Sequence, residues 1–337
     1  NRFLMKASLR AYLGKVLLYM LFCFMLSHPA DAQHLSFGGS KTRVEAGVNF
    51  GPTFFLGDLG GNYGKGTRFI KDLNLELTKM MKGAFIAVYP TDWLGLRVAG
   101  QITYIEGRDN IINTTGVDEL WRKQRNLDFR SKVKEVYGAI EIYPTMLFQQ
   151  NGDEYEPKFK PYGFIGVGIF KFDPEGSLTN ANGDKSWHKL HPLRTEGQGM
   201  PQYPDKKPYA LTQMNIPMGL GVRIKMGDRM NISPELLYRK CFTDYIDDVS
   251  TTYIDPVDFD RNLSPQDAAI ARQIHDKTVG IVTPGVNRYE PGTQRGNSHN
   301  MDAYFSFVIK LGVRFGAIDE SSPERRARNQ RRCPHFF

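Results

Sequence analysis

Five arginines and a cysteine crowd the C-terminal segment: Arg325, Arg326, Arg328, Arg331, Arg332 and Cys333, opposed only by Asp319, Glu320 and Glu324. Guanidinium groups keep their charge and grip planar anions in bidentate fashion, so the block suits an acidic protein surface or lipid head groups. Cys333 adds a thiol able to form an intermolecular disulfide in an oxidising compartment. Other candidate chemistry is weaker. Asp244, Asp247, Asp248, Asp255, Asp258 and Asp260 could offer oxygen ligands to Ca²⁺, but the spacing lacks the Gly and bidentate Glu of an EF-hand. Asx turns folding a loop fit it better. His188 and His191 lack a helix to converge them on a metal, and Ser298-His299 would need an orienting acid to act as a nucleophile pair. Gly57, Gly60, Gly61, Gly64 and Gly66 lack the pattern of a phosphate loop and supply chain flexibility. These residues point to a non-enzymatic protein without metal or cofactor.

The compartment follows from the first 32 residues. Arg2, Lys6, Arg10 and Lys15 precede or flank an apolar run from Val16 to Leu26, and Ala30-Asp31-Ala32 precedes Gln33. This is the order of a secretory signal peptide, and eleven apolar residues are too few to span a bilayer as a helix. The mature chain is expected to begin at Gln33 with a net charge of +5 of the whole chain's +8, much of it in the tail. Cys23 leaves with the leader, while Cys241 falls in a strand and Cys333 in the tail, so the two are no disulfide framework.

The remainder is 12% aromatic with 33 glycines, too apolar for disorder and suited to an all-β chain. Eight segments alternate apolar and polar residues with period two, at 44–55, 81–89, 94–106, 129–143, 160–172, 213–226, 230–243 and 302–315. Short connections (90–93, 144–159, 227–229) alternate with long ones (56–80, 107–128, 173–212, 244–301). In an up-and-down meander, alternate connections share one end. Long loops therefore gather at one end, and short turns and both termini at the other, the layout of outer-membrane barrels. A soluble lipocalin-like barrel would turn the apolar faces inward; export, apolar faces almost without charge and segregated connections favour the membrane. The expected fold is a closed eight-stranded antiparallel up-and-down transmembrane β-barrel with long extracellular loops.

With apolar faces outward, the lumen receives Glu45, Arg97, Glu135, Glu141, Arg223, Lys225, Glu235, Arg239, Lys310 and Arg314, which should pair and plug it. Ser264-Pro265-Gln266-Asp267 reads as an N-cap ahead of a short helix over Ala268–Lys277, and 117–126 reads as a weaker helix. Turn 144–159, carrying Asp153, Glu154 and Glu156, is an ordinary hydrophilic turn or a second partner contact.

Four stretches carry a resemblance: Glu45–Gly61 (EAGVNFGPTFFLGDLGG), Phe159–Pro174 (FKPYGFIGVGIFKFDP), Leu193–Gly221 (with LRTEGQG and IPMGLG) and Pro234–Tyr253 (PELLYRKCFTDYIDDVSTTY), with Arg295-Gly296-Asn297 before the last strand. Together they resemble the PorG-like outer-membrane barrels of Bacteroidota. The resemblance implies a part in type IX protein secretion and gliding, tying a periplasmic ring of lipoprotein and partner subunit to the outer membrane. The expected organisation is a cleaved signal peptide at 1–32, an outer-membrane barrel at 33–316 and a basic periplasmic tail at 317–337. Both termini are periplasmic, outer-membrane lipid surrounds the barrel, and nucleic acid is no partner. The competing functions are a surface-binding barrel using its long loops and a lipid-modifying barrel enzyme using Ser298 and His299.

Overall fold

The computed structural model describes residues 42–59, 77–112, 117–147, 157–180, 182–227, 229–278 and 289–315. Ten strands form one antiparallel sheet: β1 (Arg43–Leu56), β2 (Lys79–Tyr89), β3 (Leu94–Arg108), β4 (Asp128–Ile142), β5 (Phe159–Lys171), β6 (Pro174–Thr179), β7 (Lys185–Lys189), β8 (Thr212–Met226), β9 (Met230–Cys241) and β10 (Ala303–Phe315). Eight of them close on themselves in the order β1-β2-β3-β4-β5-β8-β9-β10 and back to β1. Each pairs with its chain neighbour in the ring, and β10 pairs with β1 over Val44↔Phe315 to Leu56↔Ala303. The remaining two form a side hairpin, held to the barrel where Arg130 and Ser131 of β4 meet Glu175 and Pro174.

Closure matters because lipid offers backbone amides no partner, and a closed ring has no unpaired edge. The barrel strands run 11 to 15 residues, against the roughly 9–11 that a tilted strand needs to cross hydrocarbon. Their faces settle which solvent lies outside. Val98 and Val136 are each 60% exposed, Val167 64% and Leu220 69%, while Arg97, Glu141 and Lys310 lie at 2% or less. The apolar residues therefore face outward and the charges inward, the reverse of a lipocalin. Among the described residues no helix is long and apolar enough to cross a membrane; the crossing is made by strands.

The eight expected strands match those observed, each end moving by two residues or fewer. All the long connections leave from one end, where four of the five α-helices among the described residues gather, α1 (Val117–Arg125), α3 (Leu190–Leu193), α4 (Val257–Asn262) and α5 (Pro265–His275), while α2 (Pro144–Leu147) follows β4 at the other end. Helix α5 starts where its N-cap signal lies, with Ser264 Oγ accepting from the Asp267 amide at 3.2 Å, and stops two residues before the expected end. The leader at 1–32 lies outside the described residues.

Two glycines fix the closing seam. An added Cβ on Gly47 or Gly51 would come within 2 Å of the Leu311 or Phe307 carbonyl oxygen on β10, backbone that has nowhere to go. Gly51→Val should therefore prevent closure, and unboiled protein on a denaturing gel should lose its compact fast-migrating band, whereas Gly100→Ala, with only Val136 Cγ2 at 3.9 Å, should retain it.

Candidate functional site

The lumen is filled in three tiers. In the middle one, Arg97 reaches Glu235 at 2.6 Å and Glu141 at 3.2 Å, and Lys310 reaches both carboxylates at 3.0 Å. Tyr89 and Tyr143 donate to Glu141 at 3.0 and 2.7 Å, and Tyr162 donates to Glu235. Four strands, β3, β4, β9 and β10, thus place two cations against two anions across the axis. Toward the long loops, Glu135 takes Asn215 Nδ2 at 2.7 Å, Gln101 and, at 3.4 Å, Arg239. Toward the short turns, Glu45 takes Arg223 and Asn231. Every lumenal acid expected from the sequence has a cationic partner, and aromatic side chains such as Phe85, Tyr137 and Phe164 fill the space between.

The long-loop end is covered by a folded cap with its own core. Leu59, Leu190, Leu193, Met200, Ile246, Val249, Phe259 and Ile274 pack with Phe129, Phe170 and Tyr304 from the barrel mouth. The stretches that carried the family resemblance meet here. Glu196 accepts from the amides of Ser250 and Thr251 at 3.0 and 2.9 Å and pairs with Arg295 at 3.0 Å. Arg295 also donates to the Asp248 carbonyl at 2.7 Å, and Asp248, in the left-handed region at φ 64°, accepts from Tyr209 at 2.6 Å and from Thr195. Arg125, at the end of α1, ties Asp109 at 2.7 Å to the carbonyls of Asp58 and Arg295.

The acidic run is spent in folding this cap. Asp247 accepts from the Leu59 and Val249 amides at 3.0 Å each, Asp255 from the Val257 amide at 3.0 Å, and Asp258 from Tyr203 at 2.8 Å. Asp58, Asp244, Asp247 and Asp302 cluster at the base of the cap. Burial pushes Asp244 up to about 9, with the Asp58 charge adding to it, and drives Asp247 and Asp302 well above the usual carboxylate range. Burial likewise holds His275 down near 4, so its neutral ring donates Nδ1–H to the Thr195 carbonyl at 2.6 Å. His188 and His191 engage separate partners, Ser186 Oγ and the Tyr209 carbonyl, both at 2.9 Å. Among the described residues the exposed His299 ring has no carboxylate partner, and its backbone amide bonds Asn297 at 3.3 Å.

The short-turn mouth is basic. Lys158, Lys160, Lys225, Arg229 and Arg314 surround it, with Arg223 beneath, and the cleft among them holds only about 10 Å³. That is room for about one water. The tail residues Arg325, Arg326, Arg328, Arg331, Arg332 and Cys333 lie outside the described residues, as do Asp153, Glu154 and Glu156. The last described residue of β10, Phe315, ends beside Val44 at this same mouth. Cys241 is buried and free. Sequence reading missed Lys158, Lys160 and Arg229 as part of this mouth because Lys158 and Arg229 lie in connections, where no alternation marks direction, and Lys160 stands at the very start of β5.

Closed, outwardly apolar and charge-filled, the chain is a membrane-spanning eight-stranded barrel. No family model and no curated protein matches its sequence. Solved structures similar to it include the outer membrane protein OprG of Pseudomonas aeruginosa (11% identity, TM-score 0.34, covering 83% of this chain and 99% of that one). The N-terminal barrel domain of OprF from the same organism matches at 8% identity and TM-score 0.28, over 82% and 98%. The attachment invasion locus protein Ail of Yersinia pestis matches at 8% and 0.30, over 81% and 97%.

Two outcomes are expected. Arg97→Met leaves Glu141 and Glu235 undercompensated in a dry lumen and should lower stability in urea titrations by about 3–5 kcal/mol, whereas adding Glu235→Leu should recover part of that loss. Asp244, protonated in the fold well above its unfolded value of 3.8, contributes stability that is full below that value and lost as pH rises toward about 9. Asp244→Asn should therefore outperform the parent increasingly from pH 5 to 8 in cap amide-exchange protection, by about 1–3 kcal/mol at the upper end.

Proposed function

We propose that the protein is a non-enzymatic outer-membrane barrel that anchors the periplasmic ring of the type IX secretion and gliding machinery. The observation that carries this reading is the cationic short-turn mouth, beside which β10 ends at Phe315. A signal-like leader and a single-chain barrel of even strand number support the outer membrane, with short turns in the periplasm and long loops outside. A lumen packed with paired charge argues against conduction, so function falls to the two ends. At the periplasmic end, arginines and lysines suit the acidic surface of a ring lipoprotein or its partner subunit, and Cys333 could join it covalently. The resemblance in the 45–61, 159–174, 193–221 and 234–253 stretches supplies the identity of that partner.

A second reading has one specific observation behind it: the cap is a folded layer, with a hydrophobic core and the hairpin β6–β7 on its flank, rather than a set of loose loops. A rigid external surface of that kind suits a ligand, another barrel or a secreted substrate.

Replacing Arg325, Arg326, Arg328, Arg331 and Arg332 by Ser should reduce co-purification of ring subunits from isolated outer membranes by about tenfold or more while the barrel still inserts, each lost charge pair contributing a few tenths to one kcal/mol. Unchanged recovery would remove the tail from the mechanism.

A further inference from the structure

The outer wall of the barrel is not uniformly apolar. Along β4, the outward positions read Ile142, Ile140, Gly138 and Val136, then Lys134, Lys132 and Arg130, changing from apolar to cationic in one step toward the long-loop end. The same change occurs on β5, from Ile169 to Lys171. Lys134 and Lys171 stand directly opposite each other in the β4–β5 register, and Lys82 on β2 lies in the same row, separated by Ile102. Like charges directly opposite on a sheet are destabilising. All of them, and Lys132, are exposed, and none has a carboxylate partner among the described residues.

The acids nearby are already engaged. Glu106 pairs with Lys79 at 2.7 Å and with Arg108, Asp173 with Lys189 at 2.6 Å, and Glu175 with Arg130 at 2.8 Å. Together with the side hairpin, this wall forms a groove of about 920 Å³. Arg130 lies over the Trp187 ring at 4.2 Å and Lys132 over Tyr104 at 5.6 Å, fixing the sides of the groove. On the opposite wall, formed by β10 and β1, the corresponding outward positions are Phe307, Ile309, Val48 and Phe50, with no cation among them, and on β8 and β9, which follow β5 around the ring, Lys240 is the one outward cation. The lysine cluster is thus one-sided, unlike a girdle that merely marks the interface.

We infer that this groove binds the phosphorylated head group of a membrane glycolipid, its phosphates held by Lys132, Lys134 and Lys171 and its acyl chains lying on the apolar wall below. A lipid fits where a soluble anion would not, because the cations end one outward position from the hydrocarbon-facing Val136 and Ile169. The inference rests on the proposed outward placement of the long-loop end only for the choice of leaflet. Head-group binding can be read in detergent, with no membrane orientation and no ring, so it fails separately from the anchor reading.

The test is native mass spectrometry of the purified barrel in detergent micelles doped with bisphosphorylated lipid A, with enzymatically dephosphorylated lipid A in parallel. The expected result is retention of one bisphosphorylated molecule per barrel. Retention should fall on the order of a hundredfold in a Lys132→Gln, Lys134→Gln, Lys171→Gln variant and for the dephosphorylated lipid. Lys240→Gln, on β9 and outside the groove, should behave as the parent does, and the compact band of unboiled variant protein confirms that it is folded. Equal retention of the dephosphorylated lipid, or by the triple variant, would overturn the site. Displacement of the lipid by equimolar inorganic phosphate would overturn it too, assigning the groove to a free anion.

Discussion

Lipid cannot hydrogen-bond to a peptide group, and that single constraint organises this molecule. It requires the eight strands to form a ring, and the ring divides every strand into an outward apolar face and an inward polar one. Once charges are turned inward, a second requirement follows, because an ion removed from water needs close compensation. The eight-stranded ring is narrow enough for cross-lumen partners to meet, as Arg97, Lys310, Glu141 and Glu235 do from four strands. A lumen so filled has no conducting role to offer. What remains available for function is what the ring displays at its two ends and along its outer wall.

The two ends solve different problems. The long loops fold into a cap in which Glu196, Arg295, Asp248 and Arg125 join segments that lie far apart in the chain, closing a mouth that would otherwise expose Phe129, Phe170 and Tyr304. The phrases Gly57-Asp58-Leu59, Thr195-Glu196-Gly197-Gln198, Phe242 to Ser250 and Arg295-Gly296-Asn297 are therefore cap-building sequence. The short-turn end carries no such layer among the described residues and presents cations instead. That contrast is why the anchor reading places docking there.

The barrel was legible because lipid imposes period two on every strand, and a register error would reverse a whole face. Lumenal pairing followed from counting charges on the inward faces. The cap was not legible, since its contacts join residues such as Asp58 and Asn297 across most of the chain, with no local pattern to announce them. Hairpin β6–β7 escaped notice because PEGSLT and KSWHK do not alternate, although the turn between them, where Asn180 Oδ1 accepts from Asp184 at 2.8 Å, carries a turn-forming sequence. The lysine wall was passed over, because Arg130, Lys132 and Lys134 stand at one end of a strand whose other outward positions are apolar. Its meaning depended on Lys171 lying opposite Lys134, which only register supplies.

The most direct test of the account is site-specific photocrosslinking in living cells, with the photoreactive residue at Arg229 on the short-turn mouth or at Gln266 on the exposed face of α5. The account predicts that Arg229 captures a periplasmic ring subunit and that Gln266 does not. Capture of the ring from Gln266, with none from Arg229, would contradict it and move the working surface to the loop cap.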